Sequence, residues 1–170
     1  GWPALAIPEE HGGLEFGFEA QCILLEELGR NLTPEPCLTV AVATQALLLS
    51  NDAEVGPWLE AMAEGERIIA LASEENHRPH DGLNGIETRL EDGLLTGAKT
   101  GVPDGFGAAG YLVTAMGGEG PVLCLVEADA RGIEVVRQWR VDGRNAAIVR
   151  FDGAPGRIIG DADTIEGVFD

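Results

Sequence analysis

Met62-Ala63-Glu64-Gly65-Glu66-Arg67-Ile68-Ile69-Ala70-Leu71-Ala72-Ser73 decides the fold, because the apolar period changes inside it. Before Gly65, Val55, Trp58, Leu59 and Met62 recur at helical spacing, and a glycine at the end of such a stripe suits a left-handed cap. After Arg67 short β-prone runs take over: Ile68 to Ser73, Ile86 to Leu90, Leu94 to Lys99, Tyr111 to Met116, Val122 to Glu127, Ile133 to Arg137 and Ala147 to Phe151. Turn chemistry separates them, as in Glu91-Asp92-Gly93, Gly117-Gly118-Glu119-Gly120-Pro121 and Asp142-Gly143. The expectation is an α+β chain: an N-terminal helical domain over 1–65, then an antiparallel β-barrel or sandwich domain over 66–155. Residues 156–170 are expected to begin a linker or C-terminal region.

Two further helices precede the switch. Phe18, Cys22, Leu25 and Leu28 share a helical face, with Gly29 placed as a C-terminal cap. Thr33-Pro34-Glu35-Pro36 then breaks the chain before a helix from about Leu38 to Ser50 that is apolar on nearly every side and must be covered all round. Pro57 starts or kinks the third helix.

At 170 residues the chain can bury a real core. Its formal charge of −18, from 11 basic and 29 acidic side chains, argues against nucleic acid and against an anionic membrane surface, since both are held through Lys and Arg. The longest apolar run, Leu38 to Leu49, falls short of the ~20 residues of a membrane helix. Cys22, Cys37 and Cys124 have no CxxC spacing and are expected to be buried, reduced thiols, consistent with a cytoplasmic protein. No leader or initiator Met is visible, and the amphipathic pattern from Thr164 stops before a helix completes, so an excised piece of a longer protein is expected.

Motif matches are weak. Gly105-Phe106-Gly107-Ala108-Ala109-Gly110 matches G-x-G-x-x-G, yet a strand pattern follows where a dinucleotide site needs a helix. An inter-strand loop is expected instead. His77 and His80, with Glu74, Glu75 and Asp81, have generic spacing, and no metal site is expected. Asp161-Ala162-Asp163 fails as a calcium loop at Ile165 and Glu166. Neither serine, Ser50 or Ser73, sits in a nucleophile elbow, and Glu26-Glu27 fits a solvated helix face. No catalytic residue is assigned.

Several segments together carry a family resemblance: Pro8-Glu9-Glu10-His11-Gly12-Gly13 near the start, Glu26-Glu27-Leu28-Gly29-Arg30, Trp58-Leu59, Gly65-Glu66 and a turn from Gly97 to Lys99. The chain resembles the acyl-CoA dehydrogenases over its N-terminal helical and middle β-domains, without the C-terminal helical bundle. The resemblance implies FAD as cofactor, an acyl-CoA substrate, α,β-dehydrogenation of its thioester by the intact protein, a role in lipid metabolism, and a homo- or hetero-oligomer formed through the C-terminal domain. A non-catalytic or half-site subunit of a heteromeric dehydrogenase is the alternative it leaves open. It places cofactor contacts at Leu71, Ala72, Ser73, Arg78, Pro79, Gly101, Val102 and Pro103. Two departures stand out: Gly101 lacks the family's stacking ring, and Pro103 has neither hydroxyl nor N–H. Arg78-Pro79 replaces a Gly-Ser pair. Weak FAD binding and no activity are expected of this chain alone.

Overall fold

A computed structural model describes residues 1–50, 52–76 and 82–169. Helices α1 (Gly17–Arg30), α2 (Cys37–Ser50) and α3 (Gly56–Glu64) come first. The strands follow: β1 (Ile69–Ala72), β2 (Arg89–Glu91), β3 (Leu94–Pro103), β4 (Gly110–Met116), β5 (Pro121–Glu127), β6 (Ile133–Trp139), β7 (Asn145–Pro155) and β8 (Arg157–Gly160), before a last helix α4 (Ala162–Phe169). The change of period after α3 is therefore the change of architecture. Gly65 ends α3 in the left-handed conformation expected of it, its N–H reaching Ala61 and Met62 carbonyls.

The sheet is open and mostly antiparallel, in the order β6-β7-β3-β2-β4-β5-β8. β1 departs from the antiparallel expectation by pairing with β4 in parallel, Ile69 opposite Gly110 through Ala72 opposite Val113. The chain crosses between them through the β2–β3 hairpin and not through a helix. β8 continues the sheet beyond residue 155, pairing with β5. Its four residues follow Pro155-Gly156 too closely for the sequence pattern to separate them from β7.

Side-chain alternation splits the interior in two. Ile69, Leu112, Leu123 and Leu125 face the helices and pack with Val40, Leu47, Leu59, Met62 and Ile165. Their neighbours Ala70, Ala72, Tyr111, Val113 and Cys124 face the other way, against Leu95, Val149 and Phe151. Burying each large aliphatic side chain contributes roughly 1.5–3 kcal/mol. The position of β1 between the two cores fixes what its C-terminal end can reach.

α2 is covered on most sides, as its composition demands. α1 is not. Of its residues only Gln21 is buried: on the shared apolar face Phe18 is 55% exposed and Cys22 exposed while Leu25 and Leu28 are half-buried, and elsewhere on the helix Ile23 is 66% exposed. The helix also runs past Gly29, because Arg30 pairs with Glu26 at 2.7 Å and the Asn31 side chain donates to the Glu27 carbonyl at 2.9 Å. Cys22 on α1 is exposed and Cys37 half-buried; only Cys124 is buried as expected. α4 completes two turns where the sequence pattern suggested an unfinished helix. Asp161 accepts the Thr164 N–H at 3.1 Å, and Ile165 anchors the helix in the core.

Candidate functional site

β3 leaves its ladder with β7 between Lys99 and Val102, and this irregularity shapes the site. Thr100 and Gly101 then need other partners for their backbone N–H groups. Thr100 donates to the Glu74 carbonyl at 2.8 Å, and Gly101 donates to Gln138 Oε1 on β6 at 2.9 Å. Gly101 has φ of 65°, a left-handed conformation that glycine adopts without strain. The segment at residues 97–99, expected as a turn, lies within β3. Gly97 is needed there because any Cβ would come within 2.6–2.9 Å of Thr88.

Beside the irregularity lies a cavity of about 270 Å³ between β1, β3, α2 and α4. Leu71 and Ser73 line it from β1 and the residue after it, and Gly101, Val102 and Pro103 from β3. Five of the eight residues assigned from the sequence thus meet around one space. Ala72 points the opposite way, into the second core. Arg78 and Pro79, with His77, His80 and Asp81, lie outside the described residues. Leu38, Thr39 and Val42 close the cavity from α2, and Val168 and Phe169 from α4. Thr39 is itself fixed by donating its hydroxyl to Asp104 at 2.6 Å, which ties α2 to the end of β3.

Two neighbouring glutamates behave differently. Glu74 stands at the cavity mouth, its carboxylate 3.2 Å from where a Cβ on Gly101 would lie. Among the described residues its carboxylate makes no hydrogen bond or ion pair, although its backbone carbonyl accepts from Thr100. Glu75 turns inward and pairs with the fully buried Lys99 ammonium at 2.6 Å. Lys99 also donates to Thr114 Oγ1 at 2.9 Å and to the Ser73 carbonyl at 3.3 Å, while Glu75 accepts the Glu87 and Thr88 N–H groups. Burial works to raise the Glu75 carboxyl, but its bond to Lys99 and those backbone donors outweigh it and hold it below the usual glutamate value. Burial lowers the Lys99 ammonium despite Glu75. Burial also pushes the adjacent Cys124 thiol up to about 12, so it is no nucleophile at neutral pH. Through Ser73 and Thr100 the buried pair positions both cavity-lining segments.

The Gly105–Gly110 stretch is a loop leading into β4, with the Tyr111 hydroxyl donating to the Gly105 carbonyl. No helix follows it, as the sequence pattern indicated. Among the described residues no group of three or more His, Cys, Asp or Glu side chains is arranged to hold a metal, and no helix is long and apolar enough to cross a membrane.

Comparison with known proteins adds five findings. A family model described as acyl-CoA dehydrogenase, N-terminal domain, matches residues 1–66. The probable acyl-CoA dehydrogenase FadE25 of Mycobacterium tuberculosis is 30% identical over 96% of this chain and 46% of its own length. A variant of the Tcur3481-Tcur3483 steroid ACAD superposes with a TM-score of 0.88 at 34% identity, over 99% of this chain and 48% of that one. The chain belongs to the acyl-CoA dehydrogenase family. Acyl-CoA dehydrogenase IpdE2 of M. tuberculosis is 33% identical over 56% of this chain and 30% of its own length. The ChsE4-ChsE5 complex from M. tuberculosis has the same fold, with a TM-score of 0.85 at 26% identity over 98% of this chain and 46% of that one. This member spans less than half the length of the curated relatives it matches.

Within this family member, sequence reasoning missed Gln138, Thr39 and the Lys99–Glu75 pair. Gln138 carries a faint signal, a neutral amide on an exposed strand. Lys99 carries a clearer one, since it lies two residues after Gly97 in a strand whose neighbours are buried.

Proposed function

We propose that the intact protein works as part of an FAD-dependent acyl-CoA dehydrogenase, oxidising an acyl-CoA thioester to its α,β-unsaturated form. Family membership supports this, and so does the convergence of Leu71, Ser73, Gly101, Val102 and Pro103 on one cavity. One structural neighbour is an acyl-CoA dehydrogenase from Bacillus anthracis complexed with FAD, which at 19% identity speaks for the shared fold. A cytoplasmic place in lipid metabolism accords with this reading, and the acidic surface accords with neither nucleic acid nor membrane as partner.

The residues of this chain do not fit an isoalloxazine ring. The Thr100 and Gly101 N–H groups are taken by Glu74 and Gln138, Pro103 has none, and no aromatic ring at Gly101 is there to stack on the flavin. The Glu74 carboxylate, which offers acceptors and no donor, stands over Gly101. This mismatch favours the second reading, a half-site subunit of a heteromeric dehydrogenase in which a partner subunit carries the productive flavin site. The exposed apolar side chains of α1, Phe18 and Ile23, support association with further helices, either of the same protein or of that partner.

The test is to supply the intact protein, alone and with its partner subunit, with acyl-CoA thioesters and an artificial electron acceptor. Acyl-CoA-dependent reduction of the acceptor is the expected result once the partner subunit is present. Turnover driven by a nicotinamide cofactor without flavin would overturn the assignment.

A further inference from the structure

The first turns of α2 serve two separate spaces. Leu38, Thr39 and Val42 line the cavity beside β3, while Cys37 and Val40 line another of about 410 Å³ between the start of the chain, α2 and the end of α3. Trp2, Met62 and Ile68 add apolar walls. The volume exceeds the ~150 Å³ of a cavity that holds benzene, so a ring with a short polar head fits. Burial, then the neighbouring Glu35 and Asp104, push the Cys37 thiol up, and it lines the wall as a neutral group. Two exposed residues of opposite charge complete the lining, Glu35 just before α2 and Arg67 just after α3. Among the described residues neither forms an ion pair, with the other or with any third group. Both are nevertheless held in place. Pro34 and Pro36 restrict the backbone on either side of Glu35, and the Arg67 guanidinium stacks on the Trp58 ring at 5.0 Å.

Apolar walls with a fixed anion and a fixed cation at the mouth select a ligand that carries both complementary charges. We infer that this cavity binds a small zwitterion with an apolar body, of the class of the apolar α-amino acids, with its ammonium on Glu35, its carboxylate on Arg67 and its side chain against Trp2, Val40 and Met62. An apolar acid leaves Glu35 unpaired and meets the repulsion of a chain of formal charge −18. An apolar amine leaves Arg67 unpaired and is repelled by it. A zwitterion with no apolar side chain gains only charge contacts at an exposed rim, which are weak. The inference stands apart from the proposed dehydrogenase function, because no residue lines both cavities.

Isothermal titration calorimetry of the intact protein with L-phenylalanine, 3-phenylpropanoate, phenethylamine and glycine tests it. The first three share an apolar body and differ only in which charges they carry. L-Phenylalanine is expected to bind about fivefold tighter than either singly charged analogue, each charge contact at the rim supplying that factor, and glycine is expected to show no binding. Glu35→Gln should abolish the preference over 3-phenylpropanoate and keep the preference over phenethylamine. Arg67→Gln should do the reverse. Glu35 makes no hydrogen bond or ion pair among the described residues, so its variant keeps the inference testable if the loss of the stack on Trp58 unfolds the other. Glu74→Leu, at the mouth of the other cavity, should leave every affinity unchanged. Absence of L-phenylalanine binding, equal affinities for the three apolar probes, or a preference over 3-phenylpropanoate that survives Glu35→Gln would overturn the inference. So would loss of binding in Glu74→Leu, which would put the ligand in the cavity beside β3.

Discussion

Replacing Lys99 by Met removes the cation from a pair in which Lys99 is fully buried and Glu75 nearly so. The substitution keeps most of the side-chain volume, so packing changes little and the electrostatic loss dominates. It deletes hydrogen bonds to Glu75, Thr114 and the Ser73 carbonyl at once. Breaking a buried pair by removing one partner costs about 3–5 kcal/mol. Glu75 keeps the Glu87 and Thr88 N–H donors and can take up a proton, so the lower end, about 3 kcal/mol at neutral pH, is expected here. In the wild type the Glu75 carboxyl lies below its unfolded value, so its stabilisation is complete above that value and is lost as pH falls through the folded one. Lys99 has the opposite sign, its lowered value being a cost at neutral pH that fades as pH rises toward the unfolded lysine value. In Lys99→Met the Glu75 value rises instead, so acid relieves the variant while it weakens the wild type. Urea unfolding of both proteins at neutral pH and near pH ~5 should show the gap narrowing in acid. The double variant Lys99→Met with Glu75→Gln should recover about half of the loss, since the amide oxygen still accepts a backbone N–H. A loss below about 1 kcal/mol at neutral pH, or a gap that widens in acid, would refute the reasoning.

Three other outcomes can be checked directly. Gly97→Ala places a methyl group within 2.6–2.9 Å of Thr88 and should cost about 2–4 kcal/mol by thermal or urea unfolding. Thr39→Val removes the hydrogen bond that its hydroxyl donates to the buried Asp104 side chain, so a loss of about 1–3 kcal/mol is expected, together with faster amide exchange at the end of β3. Cys22 should react with an aromatic disulfide reagent in the native protein, whereas Cys124, buried and with its thiol pushed up to about 12, should react only on unfolding.

The helix-to-strand switch was legible because period is a local property, and the chain around Gly65 carries both periods within a few residues. Strand positions followed for the same reason. Pairing direction did not, since the parallel contact of β1 with β4 depends on where the β2–β3 hairpin folds back. The apolar stripe of α1 predicted a helix but not which side would be covered, and Phe18 and Cys22 ended in solvent. At the site, residue types at Gly101 and Pro103 showed which flavin contacts were missing. What replaced them was not visible, because Gln138 lies 37 residues from Gly101 in sequence and meets it only through the irregularity of β3. Glu74 and Glu75 looked equivalent in the sequence, and only the alternation after β1 sends one outward to the cavity and the other inward to Lys99.

The flavin content of the purified protein tests the account most directly. After saturation with FAD and removal of excess, absorbance and chain concentration give the number of flavins per copy of this chain, with and without the partner subunit. The account predicts no stoichiometric FAD on the intact protein alone and one FAD for each pair of this chain with its partner. One tightly held FAD per copy of this chain, without the partner, would contradict it.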